Sequence, residues 1–226
     1  MAVECIESWK KYLPDYEIKE WNEDNFDVSL IPYTEEAYHL KKYAFVSDFV
    51  RFWVLYNYGG IYLDVDVEVI KPIDDILARG PYMGLEKMDG TKYGGTIAVA
   101  SGLGMASYPK LDFFGEVIRF YSNTHFISWR GRHSSTVVKL VTNLLVKKGT
   151  IHLDKISECC GIYIYPDEYF DPMNYYTREI TITDNTRTIH RYAASWVDAK
   201  KQGLAKYKER FNNLLLRIRL SLQRGA

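Results

Sequence analysis

Apolar residues recur at helical spacing along much of the N-terminal part of the chain. Residues 2–13 carry one such stripe, which predicts an amphipathic helix. A second helical pattern runs from Thr34, a candidate N-cap, to Tyr58, with a break near Tyr43 and a pair of glycines at its end. Between the two patterns, residues 16–21 alternate and predict a short strand.

The clearest strand pattern is Ile61–Ile70, where apolar and acidic residues alternate. Successive side chains of a strand point to opposite faces. One face is therefore expected to carry Val65 and the two valines that follow it at alternate positions, and the other face Asp64, Asp66 and Glu68.

Strand and helix patterns also alternate through the rest of the chain. Extended segments are predicted at 82–86, 96–100, 151–153 and 161–165, a strand pair at 179–183 and 186–192, and helices at 110–122 and 134–148. The glycines of Thr91–Gly95 and Ser101–Gly104 predict loops. This order favours an α/β domain with a mixed sheet flanked by helices.

Composition narrows the class of protein. The 226 residues are 47% hydrophobic and 26% charged, which excludes intrinsic disorder. Basic and acidic residues balance at 29 each, so the total charge gives no footprint for nucleic acid, and no nucleic-acid partner is expected.

The charge is unevenly distributed along the chain. Residues 199–226 hold eight basic residues and one acidic residue, a net charge of +7, so residues 1–198 carry −7. Apolar positions within 199–226 recur at helical spacing, which predicts a basic amphipathic helix after a domain at 1–198. Such a helix either docks on the acidic domain or lies on an anionic membrane through residues 200–226.

Cysteine usage and hydropathy indicate the compartment. Three cysteines form no disulfide framework, and the N-terminus has no apolar core typical of a secretory leader. The most apolar stretch, Tyr43–Tyr58, is interrupted by Asp48 and Arg51. We therefore expect a cytoplasmic protein, with peripheral contact at the inner membrane face as an option for the tail.

Two acidic residues supply the most informative chemistry. Asp64 and Asp66, on one strand face, repel each other unless a cation or hydrogen-bond donors lie between them, and Mn²⁺ or Mg²⁺ suits such oxygen ligands. The alternative is a solvated face of an edge strand. Asp48 and Arg51 lie three residues apart on an apolar helix, where they either pair structurally or serve a site.

The string from Ala44 to Asp66 resembles the signature of glycosyltransferase family 32. It contains the pattern S-D-x-x-R followed by G-G-x-Y-x-D-x-D, with the helix, the glycine stop and the D-x-D in order. The resemblance is strongest over 44–74 and weaker from Cys5 to Trp196. It implies a GT-A fold, a nucleotide-sugar donor, a divalent metal and transfer with retention of configuration.

The resemblance also implies roles for individual residues. Asp48 and Arg51 would hold donor-sugar hydroxyls, Asp64 would contact ribose or sugar, and Asp66 would ligate the metal. His190, which begins a motif resembling the family's H-x4-S-W, would complete the metal and phosphate site; its structural alternative is a buried, hydrogen-bonded histidine. The donor pocket would be lined by Ser47, Tyr62, Asp64, Ser195 and Trp196.

These inferences predict a metal-dependent retaining glycosyltransferase. It would move a sugar from a UDP- or GDP-sugar to a glycan or lipid-linked acceptor, for example in capsular polysaccharide biosynthesis. The first alternative is a non-catalytic nucleotide-sugar-binding relative. A D-x-D phosphatase is less favoured, because it leaves Asp48 and Arg51 unexplained.

The start of the chain departs from the family pattern. Members of the family usually begin with an apolar strand, whereas this chain begins at the helix matching residues 5–13. The resemblance therefore implies a GT-A-like sheet whose first strand is missing, or is supplied by an upstream segment or a partner.

Overall fold

A computed structural model describes residues 1–87, 97–128, 131–132, 136–175 and 177–192. The helices are α1 (Ala2–Tyr12), α2 (Pro32–His39), α3 (Tyr43–Tyr58), α4 (Asp74–Leu77), α5 (Asp112–Ser122), α6 (Val137–Val146) and α7 (Asp167–Phe170). The strands are β1 (Gly60–Tyr62), β2 (Val67–Val69), β3 (Tyr82–Leu85), β4 (Val99–Ser107), β5 (Ile127–Ser128), β6 (Gly131–Arg132), β7 (Ser157–Cys159), β8 (Ile162–Tyr165) and β9 (Thr188–His190).

The chain forms two compact units. Of the described residues, the first unit takes those in 1–20, 51–117 and 135–193, and the second takes those in 21–50 and 118–134. The first half of α3 thus belongs to the second unit, and its second half to the first unit.

A mixed five-stranded sheet forms the centre of the first unit, in the order β1-β4-β3-β8-β7. Only β3 and β8 run parallel; the other neighbours are antiparallel. Helix α6 is attached to this sheet by Thr142, whose hydroxyl accepts a hydrogen bond from the Val99 N–H at 2.8 Å. Behind β3 the rings of Tyr82 and Phe170 stack with centroids 4.9 Å apart. The predicted α/β, GT-A-like fold with a mixed central sheet flanked by helices is confirmed.

A second, two-stranded sheet joins β2 to β9 in antiparallel register. Its outer edge at β2 is covered by α1: Trp9 donates its indole N–H to the Val67 carbonyl at 2.7 Å, and the Ser8 hydroxyl accepts from the Val69 N–H at 2.9 Å. The amphipathic helix predicted at the N-terminus therefore satisfies the backbone groups of an edge strand.

Aromatic rings fill the second unit. Tyr33, on α2, is fully buried and meets Tyr121 and Phe126 edge to face, with centroids 4.8 and 5.4 Å apart. Phe49 packs against Tyr121 and Phe26 in the same cluster. Edge-to-face contacts of this kind add specific geometry to the burial of large apolar surfaces.

The long strand predicted at 61–70 is wrong. The structure has β1 and β2 in different sheets, joined by a β-turn in which the Val67 N–H donates to the Asp64 carbonyl at 2.9 Å. Val65, which the alternation placed with the buried valines, is 60% exposed at the tip of this turn. Residues 16–21, predicted as a strand, form none.

Other predicted boundaries also shift. Helix α2 begins at Pro32 rather than after Thr34, and the break expected near Tyr43 is present between α2 and α3. Residues 186–192 do contain β9, but it pairs with β2, and 179–183 contribute a single bridge between Ile180 and Met173. Residues 101–104, predicted as a loop, lie within β4.

Several predictions fall on residues that are not described. These are the loop at 91–95, the Ser195 and Trp196 positions, and the helix and domain boundary in 199–226. In the described part of the chain the first strand is β1, and the expectation about an earlier strand stays a prediction. None of the helices described here is both long and apolar enough to cross a bilayer.

Candidate active site

The β-turn between β1 and β2 carries both acidic residues of the D-x-D. Asp64 opens the turn, and the backbone carbonyl of Asp66 accepts a hydrogen bond from the Arg191 N–H at 2.8 Å. The turn is thus fixed to the chain that follows β9. The two carboxylates therefore come from the first and third residues of a turn, and not from one face of a strand.

Strand pairing brings His190 to the same place. In the β2–β9 ladder, Val67 lies opposite His190, so the imidazole lies next to Asp66. Its Nε2 is 3.3 Å from Asp66 Oδ1. One ligand atom from each of Asp64, Asp66 and His190 lies within 4.8 Å of the others. We call these three residues the acidic–histidine cluster.

Asp64 is held by two donors in the first unit. The Tyr62 hydroxyl donates to Asp64 Oδ1 at 2.6 Å, and Arg51 Nη2 lies 3.3 Å from the same oxygen. The Arg51 guanidinium also lies over the Tyr62 ring, 4.8 Å from its centroid, and its Nη1 is 3.4 Å from the Ser101 hydroxyl. Arg51 is buried, which explains why its charge is paired with a carboxylate.

Gly102 on β4 makes room for Asp64. A Cβ atom at this glycine would lie 2.4 Å from Asp64 Oδ2, well inside van der Waals contact. This role cannot be read from the sequence, because the glycines of residues 101–104 predict a loop and nothing in the local pattern shows which residue approaches a glycine across a sheet.

Three carboxylates influence the pKa of the His190 ring. Burial lowers the pKa of His190, but the contact with Asp66 and the negative charges of Asp66, Asp171 and Asp64 outweigh it, so the pKa lies above its ordinary value. Asp171, absent from the sequence prediction, is fully buried. Burial raises its pKa to about 6, against the opposing hydrogen bonds from Tyr192 and the Lys87 N–H.

Comparison with known proteins finds a family that is similar to the segment containing the D-x-D turn. Residues 2–82 match the family described as glycosyltransferase sugar-binding region containing DXD motif. This segment includes Arg51, Tyr62, Asp64 and Asp66 and ends before His190. The chain is glycosyltransferase family 32-like.

Two curated relatives are similar over part of this segment. Inositol phosphoceramide mannosyltransferase 1 of Schizosaccharomyces pombe is 28% identical over 69 residues, which is 30% of this chain and 20% of the relative. Inositol phosphoceramide mannosyltransferase 3 of the same organism is 33% identical over 72 residues, 28% of this chain and 19% of the relative. The similarity thus spans about a fifth of the length of these relatives.

Two of the predicted site residues of this family 32-like chain lie in the second unit. Ser47, on α3, donates its hydroxyl to the Ala44 carbonyl at 2.8 Å. Asp48, on the same helix, is half-buried. Its charge adds to the effect of burial in raising the pKa of Tyr33. Their roles in donor binding stay predictions, as do those of Ser195 and Trp196, which lie outside the described residues.

The donor set of the acidic–histidine cluster suits a divalent cation. Two carboxylates and one imidazole offer oxygen and nitrogen ligands to such an ion. Carboxylates accommodate both Mg²⁺ and Mn²⁺.

Proposed function

We propose that this chain is a metal-dependent glycosyltransferase that uses a nucleotide-sugar donor. The observation that carries the proposal is the acidic–histidine cluster, whose two aspartates lie on the D-x-D turn inside the segment matched by a sugar-binding family. A cluster of like charges next to a buried, carboxylate-bound arginine is costly for the fold alone. It is useful where a cation and a diphosphate bind.

Asp66, Asp64 and His190 would hold Mn²⁺ or Mg²⁺. The bound ion would supply positive charge to the donor diphosphate as its bond to the sugar breaks. Arg51, fixed by Asp64 and Tyr62, keeps a second positive charge beside the cluster. Preorganised charges of this kind stabilise developing negative charge without reorganisation during the reaction.

The remaining roles rest on the resemblance. Asp48 and Arg51 would orient the sugar hydroxyls, with Ser47, Tyr62, Asp64, Ser195 and Trp196 lining the donor pocket. We propose transfer with retention of configuration: the acceptor hydroxyl attacks from the face that the diphosphate leaves, the glycosyl–oxygen bond to the diphosphate breaks, and the departing phosphate takes the hydroxyl proton. The products are the glycosylated acceptor and the nucleoside diphosphate.

The relatives help to choose donors and acceptors to test. Their names describe mannosyltransferases that act on inositol phosphoceramide, which supports mannose among the sugars and a lipid-linked or glycan acceptor. A UDP- or GDP-sugar is the proposed donor, and synthesis of a polysaccharide such as a capsule is the proposed setting. Peripheral membrane contact through 200–226 stays part of this proposal.

One observation favours a second candidate, a binding protein without transfer activity. His190 Nε2 lies only 3.3 Å from Asp66 Oδ1, so a protonated ring could balance part of the cluster without any metal. Such a chain would bind a nucleotide sugar and leave its glycosidic bond intact.

The test is turnover of a donor panel. The full chain is incubated with UDP- and GDP-hexoses, including mannose, in Mn²⁺, Mg²⁺ or EDTA, and nucleoside diphosphate release is measured. We expect release with a divalent ion only, and ¹H NMR should show the donor's anomeric configuration in the first-formed sugar product. Donor binding without release would favour the binding protein, and release unaffected by EDTA would contradict the metal.

A further inference from the structure

Asp171 is a buried carboxylate that the proposed mechanism does not use. It follows directly after α7, and its Oδ2 accepts hydrogen bonds from the Tyr192 hydroxyl at 2.6 Å and the Lys87 N–H at 2.8 Å. Its Oδ1 is buried and has no hydrogen-bond partner among the residues that the structure describes. An unsatisfied buried carboxylate oxygen is costly, which indicates that a further donor meets it.

His190 Nδ1 is the complementary atom. It too is buried without a hydrogen-bond partner in the described residues, while Nε2 on the other side of the ring faces Asp66. A neutral imidazole carries its proton on one nitrogen and a lone pair on the other. If Nε2 is to offer a lone pair to the cluster, Nδ1 must carry the proton and needs an acceptor.

Tyr192 contacts both Asp171 and His190. Its ring packs on His190 with centroids 4.2 Å apart, while its hydroxyl binds Asp171. The end of α7 is also fastened to β9, because the Thr188 hydroxyl donates to the Phe170 carbonyl at 3.2 Å. Asp171 and His190 each shift the pKa of the other, so the two lie within Coulombic reach.

We propose that Asp171 is a positioning residue for His190: its Oδ1 accepts the Nδ1 proton, directly or through one buried water, and so keeps the Nε2 lone pair directed at the acidic–histidine cluster. Histidines that bind metals commonly donate their second ring N–H to a carboxylate, which fixes tautomer and orientation. The free lone pair on Nε2 rests on the proposed function, because without a cation Asp66 Oδ1, 3.3 Å away, would accept a proton from Nε2; the Nδ1–H contact with Asp171 does not.

The first measurement reads the tautomer with Mg²⁺, a diamagnetic ion, added, because without a cation Asp66 Oδ1 would hold a proton on Nε2. Long-range ¹H–¹⁵N spectra of the ¹⁵N-histidine-labelled full chain, at a pH where the ring is neutral, should show His190 protonated on Nδ1. Asp171→Asn keeps an oxygen for Tyr192 and Lys87 but turns an amide NH₂ toward Nδ1. That donor favours the lone pair on Nδ1, so the proton should move to Nε2, as an Asp-to-Asn change does in a catalytic triad.

The second measurement reads metal affinity. Free Mn²⁺ is counted by electron paramagnetic resonance during titration of the full chain. Asp171→Asn should weaken Mn²⁺ binding about 10- to 100-fold, the usual effect of losing a carboxylate behind a ligating histidine. Glu36→Gln is the matched control, because Glu36 is an equally buried carboxylate paired with a different histidine, His125; it should leave Mn²⁺ affinity unchanged.

The outcomes separate the proposals. A wild-type ring without a proton on Nδ1 would overturn the role of Asp171, as would an Asp171→Asn chain that keeps both the tautomer and the Mn²⁺ affinity. If Asp171→Asn fails to fold, the wild-type tautomer decides. A wild type that binds no Mn²⁺ yet shows the Nδ1–H tautomer would contradict the proposed metal while supporting the contact between Asp171 and His190.

Discussion

Two carboxylate–histidine pairs among the described residues differ in their surroundings. In the second unit, Glu36 Oε1 lies 2.6 Å from His125 Nδ1, Oε2 accepts from the Ile127 N–H at 2.8 Å, and the His125 side chain is 48% exposed. In the first unit, His190 and Asp66 are 16% and 15% exposed and lie 3.3 Å apart, with Asp64 and Asp171 also acting on the ring.

The difference shows what separates a structural pair from a candidate site. Both oxygens of Glu36 are bonded within the protein, so that pair fastens a loop and is complete. The acidic–histidine cluster groups two carboxylates with one imidazole, and the buried Nδ1 of that ring lacks a protein partner in the described residues. Several metal-ligand groups in one place, rather than the proximity of one acid and one histidine, indicate a candidate binding site.

The largest expected effect is that of Asp66→Asn. The amide keeps the size of the side chain but loses the charge that holds the cation, so kcat/KM for donor turnover in Mn²⁺ should fall about 100- to 1000-fold. Val67, next in the chain, is buried and should stay packed. Circular dichroism should therefore show an unchanged fold, and turnover at the wild-type rate would remove Asp66 from the site.

A second effect is on stability against pH. The pKa of Asp171 is about 6 in the folded chain, above its ordinary 3.8, so the folded state binds this proton more tightly than the unfolded state does. Its contribution is present below pH 4 and is lost as the pH rises through 6. The shift corresponds to about 3 kcal/mol.

Chemical denaturation of the wild type and Asp171→Asn from pH 4.5 to 7.5 measures this. The variant should gain stability relative to the wild type as the pH rises. A difference between the two that does not change with pH would show that burial does not raise the pKa of this carboxyl, as expected if a further donor such as the His190 Nδ1–H offsets it.

Gly102→Ala should have a smaller effect on turnover, about 10-fold, equivalent to about 1.4 kcal/mol. The added methyl would overlap Asp64 Oδ2 and force the carboxylate away from Arg51 and Tyr62. In an Asp64→Ala background the same change should cost little. Equal losses in both backgrounds would mean that the glycine acts through something other than Asp64.

The smallest expected effect on turnover is that of a change in the Glu36–His125 pair. Glu36→Gln exchanges a charged acceptor for an amide beside His125 and the Ile127 N–H, and should lower the free energy of unfolding by about 1 to 2 kcal/mol. Donor turnover should be unchanged. A turnover loss comparable to that of Asp66→Asn would erase the distinction between the two pairs.

Local patterns predicted the parts of the fold that depend on local forces. Helix α1 follows from the spacing of its apolar residues. The end of α3 follows from the two glycines after Tyr58, and the break before α3 was also visible in the local pattern. The D-x-D was located from sequence, but its strand was wrong, because alternation cannot show that Val65 is exposed in a turn. His190 was suggested by motif, whereas the register that places it opposite Val67 is a long-range property.

Gly102 and Asp171 were not predicted at all. Each acts through space on a residue far away in sequence, and neither stands in a pattern typical of a site. The carboxylate of Asp171 is recognisable only once its burial and its unpartnered oxygen are known.

The most direct test of the central claim is isothermal titration of the full chain with GDP-mannose and other UDP- and GDP-sugars, with and without Mn²⁺. We predict that the productive donor binds only when Mn²⁺ is present, and that Asp66→Asn abolishes this dependence while Glu36→Gln preserves it. Donor binding of equal affinity with Mn²⁺ and with EDTA in the wild type would contradict the assignment of the acidic–histidine cluster as the metal centre of a glycosyltransferase.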